Sequence, residues 1–175
     1  MISKEIHIIG MEGFKVRAFN RRDSEGVIKL ISDIIVNEFK FELEIDGLDS
    51  DIFCIDEHYN KSRGGCFWVA EHGDNTNNKN NQIIGTIAIR NLKKFESTCE
   101  LKRMYVVREF RRLGIGQKML ETAIDFAKNF GYKRVILDSS IYLDAARTLY
   151  LKNDFVDIQK YNNNYRADVF MEKKL

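Results

Sequence analysis

A chain of 175 residues with 44% hydrophobic and 31% charged residues carries enough apolar material for one domain with its own core, which argues against intrinsic disorder. A formal charge of +2, with no long run of Lys or Arg, argues against the strong basic field that nucleic-acid binding needs. No segment approaches the roughly 20 apolar residues of a membrane span and the N-terminal MISKEIHIIGMEGFKV has no small-residue cleavage site, so the expectation is a cytoplasmic protein without a membrane partner.

In chain order, one domain over 1–175 is expected, with 1–13 as an N-terminal extension. FKVRAF reads as a strand. RRDSEGVIKLISDIIVNEF reads as a helix capped near Asp23, with Val27, Leu30, Ile31, Ile34 and Ile35 on one face. After a polar, acidic stretch, CFWVAEH and QIIGTIAIRNL predict two strands around the low-complexity GDNTNNKNN, expected to be a mobile hairpin loop. STCELKRMYVV is a further strand, and the segment after RRLGIG is a helix whose buried stripe is Leu120, Ala123, Ile124 and Ala127. KRVILDSS is apolar enough for a central strand. A shorter helix near LDAARTLYLKN and an antiparallel pair, FVDIQKY with RADVFMEKKL, complete a mixed α/β chain.

Cys54, Cys66 and Cys99 are odd in number and lack CxxC spacing, which predicts buried thiols rather than disulfides or a zinc site. His7, His58 and His72 are isolated from one another, so no local metal motif is present in the sequence.

RRLGIG poses a specific question, because Gly114 and Gly116 weaken helix propensity by about 1 kcal/mol each if they lie within the helix they precede. The first amides of a helix have no intrahelical acceptor and point outward with the positive end of the dipole. Residues without Cβ let a phosphate or pyrophosphate reach those amides, and Arg111 and Arg112 add charge at the rim. A plain strand-to-helix turn and a dinucleotide-binding loop are the competing readings. The second lacks its third glycine, because Met119 stands there, and lies late in the chain.

With these segments in place, the sequence resembles the GNAT superfamily of acyl-CoA-dependent N-acetyltransferases. Arg111, Gly114 and Gly116 fill the pattern R/Q-x-x-G-x-G/A of its CoA loop, and ELKRMYVVREFRRLGIG is similar to its fourth strand running into that loop. LDSSIYLDAARTLYLKNDF resembles its fifth strand, the following helix and an L-Y-x-x-x-G-F segment. The resemblance implies a GNAT-like α/β (α+β) fold: a central mixed, mainly antiparallel twisted sheet of six to seven strands, split around the cofactor, with helices on both faces. It also implies acetyl-CoA as cosubstrate, no metal, and homodimerisation as a family habit.

The resemblance implies roles residue by residue. Tyr150 matches the tyrosine that protonates the departing CoA thiolate. Glu100 resembles the glutamate some protein-acetylating members use as base, and Asp138 is the reserve candidate at the end of the fifth strand. Met104, Tyr105 and Val106 should splay away at a bulge and offer main-chain groups to pantetheine and the thioester oxygen. Arg111 and the amides of Arg112, Leu113, Gly114, Ile115, Gly116 and Gln117 are assigned to the pyrophosphate. Two positions depart from the pattern: Asp154 precedes Phe155 where Gly is usual, and Leu143 stands where many members keep an asparagine.

The acceptor is expected to be a small-molecule or peptide amine. Residues 41–60 hold Glu42, Glu44, Asp46, Asp49, Asp51, Asp56 and Glu57 with no Lys or Arg, a cluster able to draw a cationic amine toward the acceptor side. Two other function classes stay open at this point: a catalytically silent acyl-CoA-binding module, and an oxidoreductase binding NAD or FAD through Gly114 and Gly116.

Overall fold

The computed structural model describes residues 13–73 and 81–175. The extension expected over 1–13 and the GDNTNNKNN loop fall, apart from their flanking residues, outside the described residues, as does His7.

The first strand, β1 (Phe14–Ala18), leads into a short 3-10 turn capped by Asn20. The Asn20 side chain accepts from Arg22 N–H, and the Asp23 carboxylate accepts from Asn20 N–H in return. Asp23 stands at the N-cap position of α1, as expected, and its carboxylate is used on the preceding turn, whose own cap is Asn20. Helix α1 (Ser24–Asp33) follows and continues as a π-turn through Ile34–Glu38. The expected apolar stripe, Val27 to Ile35, is buried. Residues 39–65 are irregular apart from short turns and the four-residue α2 (Ile55–His58).

The remaining elements are β2 (Cys66–His72), β3 (Gln82–Asn91), β4 (Thr98–Val106), α3 (Ile115–Phe130), β5 (Arg134–Ser139), α4 (Asp144–Lys152), β6 (Val156–Asp157) and β7 (Val169–Lys174). They build one seven-stranded mixed sheet in the order β1-β2-β3-β4-β5-β7-β6, antiparallel throughout except where β4 runs parallel to β5. The strand expected over FVDIQKY shrinks to Val156–Asp157, and its partner begins only at Val169.

Strand alternation sends successive side chains to opposite faces. Phe67, Val69 and Ala88 pack with the α1 stripe and Ile52, whereas Trp68, Ile87 and Ile89 pack with Met119, Leu120, Ala123 and Ala127 of α3. Each fully buried Val, Leu, Ile, Phe or Met side chain among them contributes about 1.5–3 kcal/mol. The two cores clamp the sheet from both sides. Among the described residues no helix is long and apolar enough to cross a membrane.

The feature that matters for chemistry is where β4 and β5 stop pairing. Their parallel ladder covers only Thr98–Glu100 against Arg134–Ile136. From Leu101 onward the strands carry no ladder between them, and the sheet opens as a fork. The turn after α4 is made by Asp154 in the left-handed region (φ 62°), with Phe155 N–H bonded back to Tyr150 C=O at 3.1 Å.

Candidate active site

Between the arms of the fork lies a cleft of about 670 Å³. Its wall includes Met104, Tyr105, Arg111, Asp138 and Tyr150 from the residues singled out in the sequence. Glu100 is not in that wall.

A bulge shapes the β4 arm. Thr86 faces Tyr105 and Ala88 faces Lys102, so two residue steps on β3 oppose three on β4. The bulged residue Arg103 adopts φ +54°, and its carbonyl accepts a hydrogen bond from the buried Thr86 hydroxyl at 2.7 Å. The bulge expected at Met104–Val106 is thus present, one residue earlier and toward β3, while the splay toward β5 comes from the short parallel ladder.

Helix α3 begins beside Met104. Its first intrahelical bond runs from Lys118 N–H to Gly114 C=O, which leaves the amides of Ile115, Gly116 and Gln117 directed out of the helix end. No side chain caps this terminus and no acidic residue lies in its first turn. A helix end left this way is suited to an anion. Gly114 is needed for its backbone (φ +81°), and a Cβ there would meet nothing within 4 Å. At Gly116 a Cβ would make ordinary contact, 3.5 Å from both Leu149 and Met104, so the protein itself leaves room for one. The Gln117 side chain bonds Asn153 and Glu121, facing along the helix. Arg111 differs from expectation: its guanidinium pairs with both Glu38 oxygens at 2.8 Å and donates to Val106 C=O at 2.9 Å. Much of its rim charge is therefore spent on bracing the π-turn that follows α1 against the end of β4.

Tyr150 projects from α4, and its hydroxyl donates to the Met104 sulfur at 3.4 Å. Burial raises its pKa above that of a free phenol. Asp138, at the end of β5, accepts from the side-chain amides of Asn162 (2.7 Å) and Asn164 (3.0 Å) and lies 3.5 Å from Lys102 Nζ. Burial pushes its pKa up, but the Lys102 ammonium and the two amides outweigh burial and hold it below the usual carboxylate range. Glu100 is 1% exposed, and its two oxygens are taken by Arg90 at 2.6 Å and the Tyr161 hydroxyl at 2.9 Å. The β4 carboxylate is a buried ion-pair partner rather than a surface group.

Part of the acidic segment is already paired within the fold. Asp49 and Asp51 are buried; Arg103 bonds Asp51 through Nε (3.0 Å) and a terminal nitrogen, and Asp49 through the other (3.0 Å). Arg166 bonds Asp49 at 2.9 Å and Glu44 at 2.8 Å, and the Tyr59 hydroxyl donates to Asp51. Two of the seven acids counted in the sequence are thus neutralised inside the fold, and Glu44 is paired at its edge. Sequence reasoning missed Lys102, Arg103, Asn164 and Arg166, all in the cleft wall. The left-handed Arg103 leaves no trace in the sequence, and the partners of Asp49 lie 54 and 117 positions away.

Cys66 and Cys99 are buried, their thiols pushed by burial to about 11 and about 12, whereas Cys54 is exposed, contrary to the expectation of three buried thiols.

The model of the acetyltransferase (GNAT) family matches residues 29–155. A Xenopus laevis protein named Probable N-acetyltransferase camello is 32% identical over 126 residues, 69% of this chain and 54% of that protein. Human N-acetyltransferase 8 is 32% identical over 108 residues, 62% of this chain and 46% of its own length. The chain spans about half the length of these curated relatives. Among solved structures, a Staphylococcus aureus acetyltransferase of the GNAT family superposes with a TM-score of 0.79 at 26% identity, covering 92% of this chain and 98% of that one. The PaiA N-acetyltransferase of Thermoplasma acidophilum, solved in complex with coenzyme A, has the same fold (TM-score 0.65, 21% identity, 93% of this chain and 99% of that one).

Proposed function

Because this chain belongs to the GNAT acetyltransferase family, we propose that it moves the acetyl group of acetyl-CoA to a primary amine, of a small molecule or a peptide, by direct attack within a ternary complex. The observation that carries the reading is the fork itself: an open helix terminus beside Met104, with Tyr150 and Asp138 on the walls of one cleft.

Each part has a physical task. The pyrophosphate of the cosubstrate is met by the amides at the start of α3, where backbone dipoles favour negative charge. Pantetheine amides and the thioester oxygen are met by the main chain of Met104–Val106 on the arm that lacks a β5 partner. An amine with a pKa of about 10.4 must lose a proton before attack, which costs roughly 4–5 kcal/mol at pH 7. Of the two base candidates Asp138 is the one in the cleft wall. Its lowered pKa keeps it ionised, which suits it to hold an ammonium and orient a water that carries the proton away rather than to act as a strong base itself. As the tetrahedral adduct collapses, Tyr150, kept protonated by burial, donates to the departing sulfur.

Thermal unfolding with acetyl-CoA, CoA, NAD and FAD in parallel tests the cosubstrate. A ligand at about 100 times its Kd adds roughly 2.7 kcal/mol of stability. A shift with acetyl-CoA or CoA but not with NAD or FAD supports the reading; a shift only with NAD or FAD, or none, refutes it. Thiol release on screening amines then separates an enzyme from a silent acyl-CoA-binding module.

A further inference from the structure

We infer that Arg103 is a positioning residue for acyl transfer: gripped through its side chain by the acceptor-side segment Leu48–Asp51 and through its carbonyl by Thr86, it sets the bulge that aims Met104–Val106 into the fork. The inference rests on the acyl-CoA reading above and deepens it.

Arg103 holds φ +54°, a region that residues with long side chains avoid. Such a conformation persists where its surroundings over-determine it, and here they do so from two directions. The buried Thr86 hydroxyl captures the bulge carbonyl at 2.7 Å, replacing the ladder partner that the bulge removes. The guanidinium bonds Asp51 twice, Asp49 once and Leu48 C=O at 2.6 Å, so the side chain has little freedom to turn. Asp49 is itself fixed from the far side by Arg166 at 2.9 Å and by Glu44 N–H at 3.0 Å.

The next residue carries the consequence. Met104 receives the Tyr150 hydroxyl on its sulfur at 3.4 Å, and its methyl lies 3.5 Å from where a Cβ of Gly116 would stand. A change at Arg103 is therefore passed by one peptide unit to the proton donor and to the helix terminus. The wall that faces the acceptor and the edge that faces the thioester share a single residue. Loosening Arg103 should weaken CoA binding although neither its guanidinium nor Thr86 is assigned a contact with CoA.

The test is CoA affinity by titration calorimetry for the whole chain, beside unfolding temperature, for wild type, Thr86→Val and Thr86→Ser, at a temperature where each is fully folded. Thr86→Val keeps the shape and removes the donor; CoA affinity should fall about tenfold, and Thr86→Ser should restore it. If Thr86→Val does not fold, Arg103→Lys gives the same readout, because it keeps the charge but loses the planar fork. A Thr86→Val protein with a lowered unfolding temperature and wild-type CoA affinity overturns the inference, leaving Thr86 and Arg103 a role in stability alone. Wild type that binds no CoA overturns both this inference and the acyl-CoA reading.

Discussion

The Tyr150 hydroxyl donates to the Met104 sulfur at 3.4 Å, across the short gap between α4 and the bulged arm of β4. A thioether is a weak acceptor, so the proton is aimed into the fork yet loosely held. A thiolate leaving from the same place would compete for it easily. Tyr150→Phe should therefore lower kcat by about a hundredfold or more and leave CoA affinity unchanged. Thiol release with an identified amine, beside calorimetry with CoA, checks both halves.

Asp138 and Glu100 should separate cleanly. Asp138→Asn removes the cleft carboxylate; turnover, read at a temperature where the variant is folded, should fall about a hundredfold, and because Lys102 and the amides of Asn162 and Asn164 lose their charged acceptor the unfolding temperature should fall as well. Glu100→Gln leaves Arg90 and Tyr161 without their charged partner and should cost about 2–3 kcal/mol of stability. Its kcat should stay near wild type at a temperature where it is folded. The opposite pattern would return Glu100 to the role of base.

Acid should attack the buried ion pairs around Arg103. Burial raises the pKa of Asp51, and the bonds from Arg103 more than reverse that, so its folded pKa lies below the unfolded one; Asp49, held by Arg166 and Arg103, behaves alike. As pH falls, the unfolded chain takes up protons first. The contribution is complete well above the unfolded pKa of about 3.9 and disappears as pH falls through the folded values. Asp51→Asn should cost about 3 kcal/mol near neutrality, since Arg103 then lacks its bidentate partner, and should flatten the acid limb below about pH 4. Unfolding temperature against pH for both proteins measures this.

Asp154 is a place where one substitution should help. It holds φ 62° at the end of α4, a conformation that glycine adopts freely and other residues adopt at about 1 kcal/mol. The compensating bond to Lys173 involves a carboxylate that is 89% exposed, so its loss matters little. Asp154→Gly should raise the unfolding temperature by about 2–4 °C. A decrease would mean that the Lys173 contact outweighs the backbone.

Thiol labelling gives a simple check on packing. Cys54 is exposed, whereas Cys66 and Cys99 are buried with raised pKa values. A thiol reagent should modify one cysteine of the native protein quickly and the other two only on unfolding. Prompt labelling of all three would contradict the packing of β2 and β4.

The sequence was most informative where local pattern and local chemistry coincide. The α1 and α3 stripes, the strand-glycine-helix transition and the place of Tyr150 on a short helix were readable because each is set by residues within a few positions of one another. Glu100 shows where that stops: nothing near it in sequence reveals Tyr161, 61 positions later, as the partner that keeps it buried. The buried pairing of Asp49 and Asp51 is hidden for the same reason. A run of acids looks solvated until Arg103 and Arg166 arrive from distant segments. Asp23 does stand immediately before α1; what only the geometry tells is that its carboxylate accepts from Asn20 N–H and that the side-chain cap of the preceding turn is Asn20, which accepts from Arg22 N–H.

The three-rung junction of β4 with β5 also makes the sheet mechanically uneven. It is two antiparallel ladders, β1–β4 and β5–β7, riveted at one end, and stress applied across it concentrates on those few rungs. Heat, denaturant or pulling should find this seam early. A ligand bonded to both arms acts as a crossbar, supplying the rungs that the strands themselves leave out. Hydrogen exchange should register it as slowed opening at the rivet, Thr98–Glu100, well down the fork from the ligand itself.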